Sequence, residues 1–221
     1  MRRIAEPELM IDPAQARAYA EADFSEAHDR IVAWFGKKLP CFAGTGMVMD
    51  LGCGPGDVTF RFARAYPGVR VIGVDASSPM LRLARKGVCE SVDLRKRIRF
   101  VKAYIPGPAI PRIRYSAIIS NSLLHHLKDP MLFWRLVGRL AGHGTMVYVA
   151  DLLRPRTKQR ARAIVEKSAK NEAPVLREDF YHSLLAAYSL MEVREQLRQA
   201  GLKGLQVSRI DEIHLAAHGG T

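Results

Sequence analysis

The segment Met47-Val-Met-Asp-Leu-Gly-Cys-Gly-Pro-Gly-Asp57 decides the fold of this chain. It begins as an apolar run, reaches an acid at Asp50 and then breaks into a loop with three alternating glycines. An apolar run that ends at glycine is typical of a buried strand, and a helical pattern follows the loop. A second apolar run, Val69–Val74, ends in Asp75. The order strand, loop, helix, strand predicts an α/β unit built on a parallel sheet.

The loop suits a ligand that touches the backbone. Gly52, Gly54 and Gly56 place no side chain in its path, and glycine adopts the dihedral angles that such a turn needs. Asp75 can accept two hydrogen bonds from a ribose diol. Asp50 repels a pyrophosphate and favours a cationic ligand. The dinucleotide fingerprint also differs in spacing, because it requires a Gly-x-x-Gly step that this loop lacks.

The pattern Asp-x-Gly-x-Gly-x-Gly, followed by an acid after the second strand, resembles the cofactor loop of class I S-adenosylmethionine-dependent methyltransferases. The resemblance implies an enzyme that uses S-adenosylmethionine. The residues that it assigns to the cofactor are Asp50, Gly52, Cys53, Gly54, Gly56, Asp75, Ala76, Met80, Tyr104 and Asn121. Tyr104 departs from the family pattern, because many members carry there an acid that accepts from the adenine amino group.

The remaining apolar runs extend the unit to a whole domain. The predicted strands are Met47–Leu51, Val69–Val74, Ile98–Lys102, Ser116–Asn121, Thr145–Ala150, Leu205–Ile210 and His214–Ala217. With helical crossovers between them, they predict a Rossmann-like, doubly wound, mostly parallel sheet of seven strands. The resemblance implies an antiparallel last strand. We predict an N-terminal helical cap over residues 1–46 and a cofactor-binding core over 47–221, with a helical lid at 154–188. The lid is predicted to hold helices over Arg154–Lys170 and Arg177–Tyr188, and a capping box at Ser189 begins the helix that follows.

Two segments just past strand ends are candidates for chemistry. One holds the tandem histidines His125 and His126, and the other holds Asp151. The resemblance implies that one histidine is a general base and that Asp151 orients it, which agrees with the pKa of histidine and with how a carboxylate fixes its tautomer. The alternative is that one histidine packs in the core and the other contacts the cofactor. No third ligand has suitable spacing for a metal, so we predict none.

The acceptor is the least defined part of the prediction. Tyr19 and Phe24 in the cap and Tyr181 and Tyr188 in the lid are candidate acceptor-binding residues, with core packing as the alternative. A small molecule is the leading class of acceptor, and a hydroxyl is favoured because a histidine–acid pair can deprotonate it. An RNA methyltransferase and a cofactor-binding regulatory subunit without catalysis are the alternatives.

Composition sets the wider limits. The chain has 221 residues, a formal net charge of +12 and three scattered cysteines. Such cysteines predict free thiols in a reducing compartment. The N-terminus lacks a signal-peptide pattern and no apolar run is long enough for a membrane span, so we expect a cytoplasmic protein. The positive charge fits an anionic small-molecule acceptor, a nucleic acid or a solvated basic surface. It does not indicate the oligomeric state.

Overall fold

The computed structural model describes residues 1–6 and 12–221, and every element named below lies in that part of the chain. The strands are β1 Thr45–Leu51, β2 Gly68–Asp75, β3 Ile98–Lys102, β4 Ala117–Asn121, β5 Met146–Leu152, β6 Leu205–Arg209 and β7 His214–Gly220. The helices are α1 Pro13–Glu21, α2 Ser25–Lys38, α3 Asp57–Ala65, α4 Ser78–Cys89, α5 Val92–Arg97, α6 Pro130–Leu140, α7 Lys158–Ser168, α8 Pro174–Ala186 and α9 Leu190–Gln199. A short 3-10 turn covers Leu124–His126.

The strands form one seven-stranded sheet in the order β3-β2-β1-β4-β5-β7-β6. Strands β1 to β5 pair in parallel, and β7 runs antiparallel to both of its neighbours. The predicted mostly parallel sheet with an antiparallel last strand is therefore confirmed. The direction of winding changes between β1 and β4, and open α/β sheets bind ligands beyond the strand ends at such a point.

Both faces of the sheet are covered. On one face, α6 and α9 pack through buried side chains that include Trp134 and Leu197. On the other face, Phe35 of α2 is fully buried against the sheet and α3. Its ring lies at centroid distances of 4.8–5.5 Å from those of Phe42, Phe62, Tyr66 and Tyr148. This cluster anchors the N-terminal helices on the core. A third apolar cluster joins α7 and α8 to the end of β5.

Helix boundaries differ from the sequence prediction in three places. Helix α7 begins at Lys158, four residues later than predicted, because Thr157 caps it. Helix α8 begins earlier than predicted, with Pro174 in its first turn. Helix α5 was not predicted, and Ser91 caps it. The predicted capping box at Ser189 is present. No helix in the described residues is long and apolar enough to span a bilayer.

The aromatic cluster on α2 generates a stability prediction. We expect Phe35→Ala to lower the free energy of unfolding by about 3–5 kcal/mol, because it removes a fully buried ring and leaves a cavity. Urea unfolding followed by circular dichroism measures the change. Met191→Ala is the control, since Met191 is 78% exposed. A loss in Phe35→Ala no larger than in the control would show that α2 contributes little to the core.

Candidate active site

A cavity of about 1230 Å³ opens at the carboxyl ends of β1, β2 and β4. Its wall combines the glycine loop, α1 and α2, the start of α4, the loop after β4 and parts of α7 and α8. Ligand pockets commonly measure about 300–1,000 Å³. The cavity therefore has room for two ligands side by side.

The glycine loop turns through backbone conformations that favour glycine. Gly52, Gly54 and Gly56 have φ angles of +75°, +52° and +92°. A Cβ on Gly52 would lie 2.9 Å from the side chain of Leu123. A Cβ on Gly54 would meet no protein atom within 4 Å. The loop therefore needs glycine for its shape, and at Gly54 the space beside the backbone is open.

Asp75 links the two strand ends that border the loop. Its carboxylate accepts from the backbone N–H of Gly54 at 2.9 Å and from that of Ser77 at 2.7 Å. Burial raises its pKa, and these backbone donors partly oppose the shift. Ala76 is a third backbone donor to this carboxylate, whose two oxygens together can accept about four hydrogen bonds. The side chain is thus held in place and still able to accept from a ligand.

Asp50 is the most deeply placed acid of the cavity. It is 2% exposed, and the Thr59 hydroxyl donates to it at 2.5 Å. Burial raises the pKa of Asp50 to about 7, the Thr59 hydrogen bond opposes this shift, and the charge of Asp75 adds to it. A buried acid with one neutral partner is stabilised in its ionised form by a nearby cation.

The end of β4 presents an unpartnered acceptor. Among the described residues, Asn121 is one whose side-chain oxygen is buried without a hydrogen-bond partner. The next residue, Ser122, has a φ of +53°, which a residue other than glycine rarely adopts. Both residues line the cavity. Buried acceptors without partners and strained backbone are concentrated at ligand sites.

His125 and Asp151 form a buried pair on the far side of β4. Nδ1 of His125 lies 2.5 Å from a carboxylate oxygen of Asp151, and both side chains are nearly inaccessible. Burial disfavours the charged imidazolium, but Asp151, followed by Glu6, outweighs it and raises the pKa of His125. Burial likewise opposes ionisation of Asp151, yet His125 and the N–H of Leu152 lower its pKa. The predicted histidine–acid pair is therefore His125 with Asp151.

Glu6 joins the same group and was not predicted. One of its carboxylate oxygens lies 3.4 Å from Nε2 of His125 and 3.0 Å from Nδ1 of His126. Ser183 of α8 donates to both carboxylate oxygens, at 3.1 and 3.3 Å. Arg3 holds the same segment by donating to the carbonyl of His125 at 2.7 Å. Residues 1–6 show no periodic pattern, so nothing in the sequence pointed to this contact.

The predicted acceptor-binding residues separate into two groups. Tyr19 and Phe24 line the cavity with ring centroids 4.9 Å apart. Burial, with a contribution from Asp57, raises the pKa of Tyr19 to about 12. Tyr181 and Tyr188 lie outside the cavity wall. Tyr181 borders a shallow surface depression, and Tyr188 is buried with its hydroxyl donating to a backbone carbonyl at 3.3 Å.

Phe180 is the aromatic residue of α8 that lines the cavity. It precedes Tyr181 in the chain, and one step along a helix rotates a side chain by about 100°. The sequence identified the correct helix and the wrong face. The remaining predicted cofactor residues Cys53, Ala76, Met80 and Tyr104 line the cavity, and Tyr104 is 66% exposed at its mouth.

An ionic network joins α2 to the start of α3, directly after the glycine loop. Nδ1 of His28 lies 2.5 Å from the carboxylate of Asp57, the first residue of α3. Arg61 donates to the same carboxylate at 2.9 Å and pairs with Asp29 of α2 at 2.5 Å. Because Asp57 directly follows the loop, these bonds set the position of α2 relative to it.

Residues 48–144 match the family model described as a methyltransferase domain. This part of the chain is therefore similar to a methyltransferase domain. By sequence, the chain is 32% identical over 112 residues to an uncharacterised methyltransferase of Mycobacterium tuberculosis, which covers 51% of this chain and 53% of that protein. It is 30% identical over 155 residues to trans-aconitate 2-methyltransferase of Yersinia pseudotuberculosis, with 64% and 56% covered. The matches thus span about half the length of these relatives.

Solved structures share the fold over nearly the whole chain. A putative S-adenosyl-L-methionine-dependent methyltransferase of Methanococcus maripaludis has a TM-score of 0.73 at 18% identity, covering 99% of this chain and 97% of that one. The plantazolicin methyltransferase BpumL, in complex with SAH, has a TM-score of 0.69 at 15% identity, with 95% and 91% covered. The Rossmann-like architecture therefore extends beyond residues 48–144 to the cap and the last strands.

The methyltransferase domain fits S-adenosylmethionine in charge and in hydrogen bonding. The cofactor carries a sulfonium and an ammonium, and the cavity offers the buried acid Asp50 and the unpartnered oxygen of Asn121. It carries a ribose diol, from which the carboxylate of Asp75 can accept. Loss of any of these partners is expected to cost the energy of a hydrogen bond to a charged group, about 1.5–3 kcal/mol.

The pKa of Asp50 generates a pH-dependent prediction. A folded-state pKa raised from 3.8 to about 7 means that the folded protein keeps a proton that the unfolded chain has lost. Ionising Asp50 therefore lowers the stability of the ligand-free protein as pH rises from about 4 through 7. Ionised Asp50 in turn favours a cationic ligand.

We expect Asp50→Asn to weaken binding of S-adenosylhomocysteine about 10–100-fold at pH 8. The loss should be smaller at pH 5.5, where Asp50 of the parent protein is largely protonated. The same variant should be more stable than the parent in the ligand-free state at pH 8, since Asn keeps an acceptor for Thr59. Calorimetry and urea unfolding at both pH values measure these effects. Equal affinity at pH 8 would show that Asp50 does not act on the ligand.

Proposed function

We propose that this protein transfers the methyl group of S-adenosylmethionine to a small-molecule acceptor. The observation that supports this most is that one cavity joins the glycine loop and its two acids to the His125–Asp151 pair. The loop end suits the cofactor, and the histidine end suits an acceptor that must lose a proton. The cavity volume is large enough for both.

At the loop end, each contact has a chemical partner in the cofactor. Asp75 would accept from the ribose hydroxyls, because its carboxylate is held at the edge of the cavity by backbone donors and lines the cavity wall. Asp50 and the Asn121 oxygen would serve the cationic amino-acid end. Ala76 and Met80 would flank the adenine, and Tyr104 at the mouth would replace the acid that many relatives use there. When bound, S-adenosylmethionine supplies an activated methyl group.

The chain itself supplies position and exclusion of water. We propose residues 1–46 as a cap and 154–188 as a lid over the core 47–221. Two contacts between these parts support this division. Gln15 of α1 donates to Asp179 of α8 at 2.7 Å, and Ser183 of α8 donates to Glu6. Cap and lid thus meet above the cavity and close it from two sides.

A hydroxyl is the acceptor that the histidine end suits best. Asp151 binds Nδ1 of His125, which leaves Nε2 as the nitrogen able to take a proton. Glu6 lies 3.4 Å from that nitrogen, so an acceptor must share this space with the carboxylate. Tyr19, Phe24 and Phe180 would contact the body of the acceptor.

The charge of the cavity wall restricts the chemical class of the acceptor further. Among the described lining residues, eleven are Asp or Glu and four are Lys or Arg. This wall favours a neutral or cationic acceptor over an anionic one, although the whole chain carries +12. It also disfavours nucleic acid at this site. Trans-aconitate and plantazolicin, after which two of the related proteins are named, support the small-molecule class but do not fix the acceptor.

The cofactor assignment is tested at Gly54. We expect Gly54→Ala to fold and to lose binding of S-adenosylhomocysteine at least about tenfold, because the added methyl group projects into open space where the ligand would contact the backbone. Gly201→Ala is the matched control, with a φ of +72° and likewise no atom within 4 Å of its Cβ. Both variants should lose about 1–2 kcal/mol of stability from the left-handed backbone.

Calorimetry with S-adenosylmethionine, S-adenosylhomocysteine, NAD and FAD completes the test. We expect the first two to bind to the parent protein and to Gly201→Ala. Binding of a dinucleotide together with no binding of either sulfur compound would overturn the proposed function. Unchanged affinity in Gly54→Ala would place the cofactor elsewhere in the cavity.

A further inference from the structure

We propose that Glu6, His125 and His126 bind a divalent transition-metal ion of the Zn²⁺ type. The donor atoms are a carboxylate oxygen of Glu6, Nε2 of His125 and Nδ1 of His126, and all lie within 4.8 Å of one another. Two imidazoles and a carboxylate suit zinc and its neighbours better than Mg²⁺ or Ca²⁺, which prefer oxygen ligands.

The spacing of the donors suits direct coordination. The Glu6 oxygen lies 3.4 Å from Nε2 of His125 and 3.0 Å from Nδ1 of His126. Ligands bound to zinc at about 2.0–2.1 Å in a tetrahedron lie roughly 3.3–3.4 Å apart. Both distances from Glu6 therefore suit direct coordination, and the nitrogens of the two histidines lie within 4.8 Å of each other.

The lone pairs of the three donor atoms also favour a cation at this position. Nδ1 of His125 pairs with Asp151, so the neutral ring turns a lone pair on Nε2 towards the Glu6 carboxylate. Nδ1 of His126 is buried and makes no hydrogen bond, although the Glu6 oxygen is 3.0 Å away. Acceptor atoms that face one another are stabilised by a cation placed between them.

The surroundings resemble those of an established type of metal site. Ligating histidines usually donate their second nitrogen to a carboxylate, as His125 does to Asp151. Ser183 holds Glu6 through both carboxylate oxygens. Two carboxylates, Glu6 and Asp151, face one nearby guanidinium, that of Arg3. The two carboxylates would offset the charge of a divalent ion bound beside the histidines.

Three protein ligands leave a coordination position open. Both histidines line the cavity, so that position is accessible from the acceptor side. An acceptor hydroxyl bound there would have a lowered pKa, because a cation stabilises the bound oxygen, and its proton would pass to water in the open cavity. This last step rests on the proposed function, whereas metal binding does not. With the ion bound, His125 is a ligand, and the role of proton acceptor applies to the metal-free protein alone.

The site replaces the prediction of no metal made from the sequence. That prediction rested on the spacing of residues near the tandem histidines. Glu6 is far from the tandem histidines in the sequence. It lies beside them because Arg3 and Ile4 hydrogen-bond to the end of α8 and so hold residues 1–6 there. Glu6, the third ligand of the proposed site, is therefore brought to the histidines by tertiary contacts that the sequence does not show.

The test titrates the full chain, first freed of metal with a chelator, with Co²⁺ and then displaces the Co²⁺ with Zn²⁺. We expect one equivalent of Co²⁺ per chain, visible absorption bands of a four- or five-coordinate ion, and displacement by Zn²⁺ but not by equimolar Mg²⁺. Absence of stoichiometric binding, or the spectrum of the hydrated ion, would overturn the proposal without any variant.

Variants then assign the ligands. Asp151→Asn should weaken Co²⁺ binding about 10–100-fold, as is typical for the loss of a partner behind a ligating histidine. Glu6→Gln and His126→Asn should weaken it more than that. His182→Asn is the control, because His182 is half-exposed on α8 and pairs with Glu178. Binding that survives Glu6→Gln, or disappears in His182→Asn, refutes the assignment.

Binding of S-adenosylhomocysteine separates this proposal from the proposed function. We expect Glu6→Gln to keep the affinity of the parent protein for S-adenosylhomocysteine, which also shows that the variant is folded. If the parent binds S-adenosylhomocysteine but no Co²⁺, the metal site is refuted and the methyltransferase assignment stands. If it binds one equivalent of Co²⁺ but no S-adenosylhomocysteine, the reverse holds.

Discussion

The turn from β1 into α3 is the constraint on which the site depends. Three positive φ angles let the backbone reverse within a few residues. The N–H of Gly54 then reaches the carboxylate of Asp75 at the end of the neighbouring strand. Together with the bonds from the N–H groups of Gly52 and Cys53 to the carbonyl of Val74, it joins the first strand to the second at the edge where the cavity opens. Asp57, directly after the turn, extends the same constraint to the cap through His28 and Arg61.

Charge is distributed unevenly between the surface and the cavity. The chain is strongly basic, yet its principal cavity is lined mainly by acids. Burying a carboxylate without a cation is unfavourable, and the raised pKa of Asp50 expresses that cost. A cationic ligand removes the cost by occupying the cavity. Ionised Asp50 thus destabilises the ligand-free protein but is complementary in charge to a cationic ligand. Such a conflict between stability and function is common at binding sites.

The sequence predicted the features that depend on local patterns. The strands, the glycine loop and the capping box at Ser189 are each determined by residues within a few positions of one another. Asp50 and Asp75 were predicted to lie near each other because each closes an apolar run that reads as a strand. The carboxyl ends of parallel strands lie at the same edge of a sheet. A contact between the tandem histidines and Asp151 was predictable for the same reason, because they lie at the ends of the neighbouring strands β4 and β5, but the sequence did not show which histidine makes it.

Side-chain direction and remote contacts were not predictable. The periodicity of α8 is weak, so it did not show that Phe180 faces the cavity and Tyr181 faces away. Glu6 was missed because residues 1–6 carry no pattern, and their position is set by bonds to distant carbonyls. The anionic acceptor inferred from the charge of the whole chain stays a prediction, although most of the basic residues lie outside the cavity.

The amino-terminal residues connect the two ends of the proposed chemistry. Arg3 donates to the carbonyl of His125 and, at 2.6 Å, to that of Ala186 at the end of α8. Glu6 bridges the tandem histidines and Ser183 of the same helix. The loop of histidines is therefore held by Asp151 of β5 on one side and by residues 1–6 on the other. Residues 1–6 have no secondary structure, yet they help to position the tandem histidines. They do so through two charged side chains, Arg3 and Glu6, which contact the histidines directly.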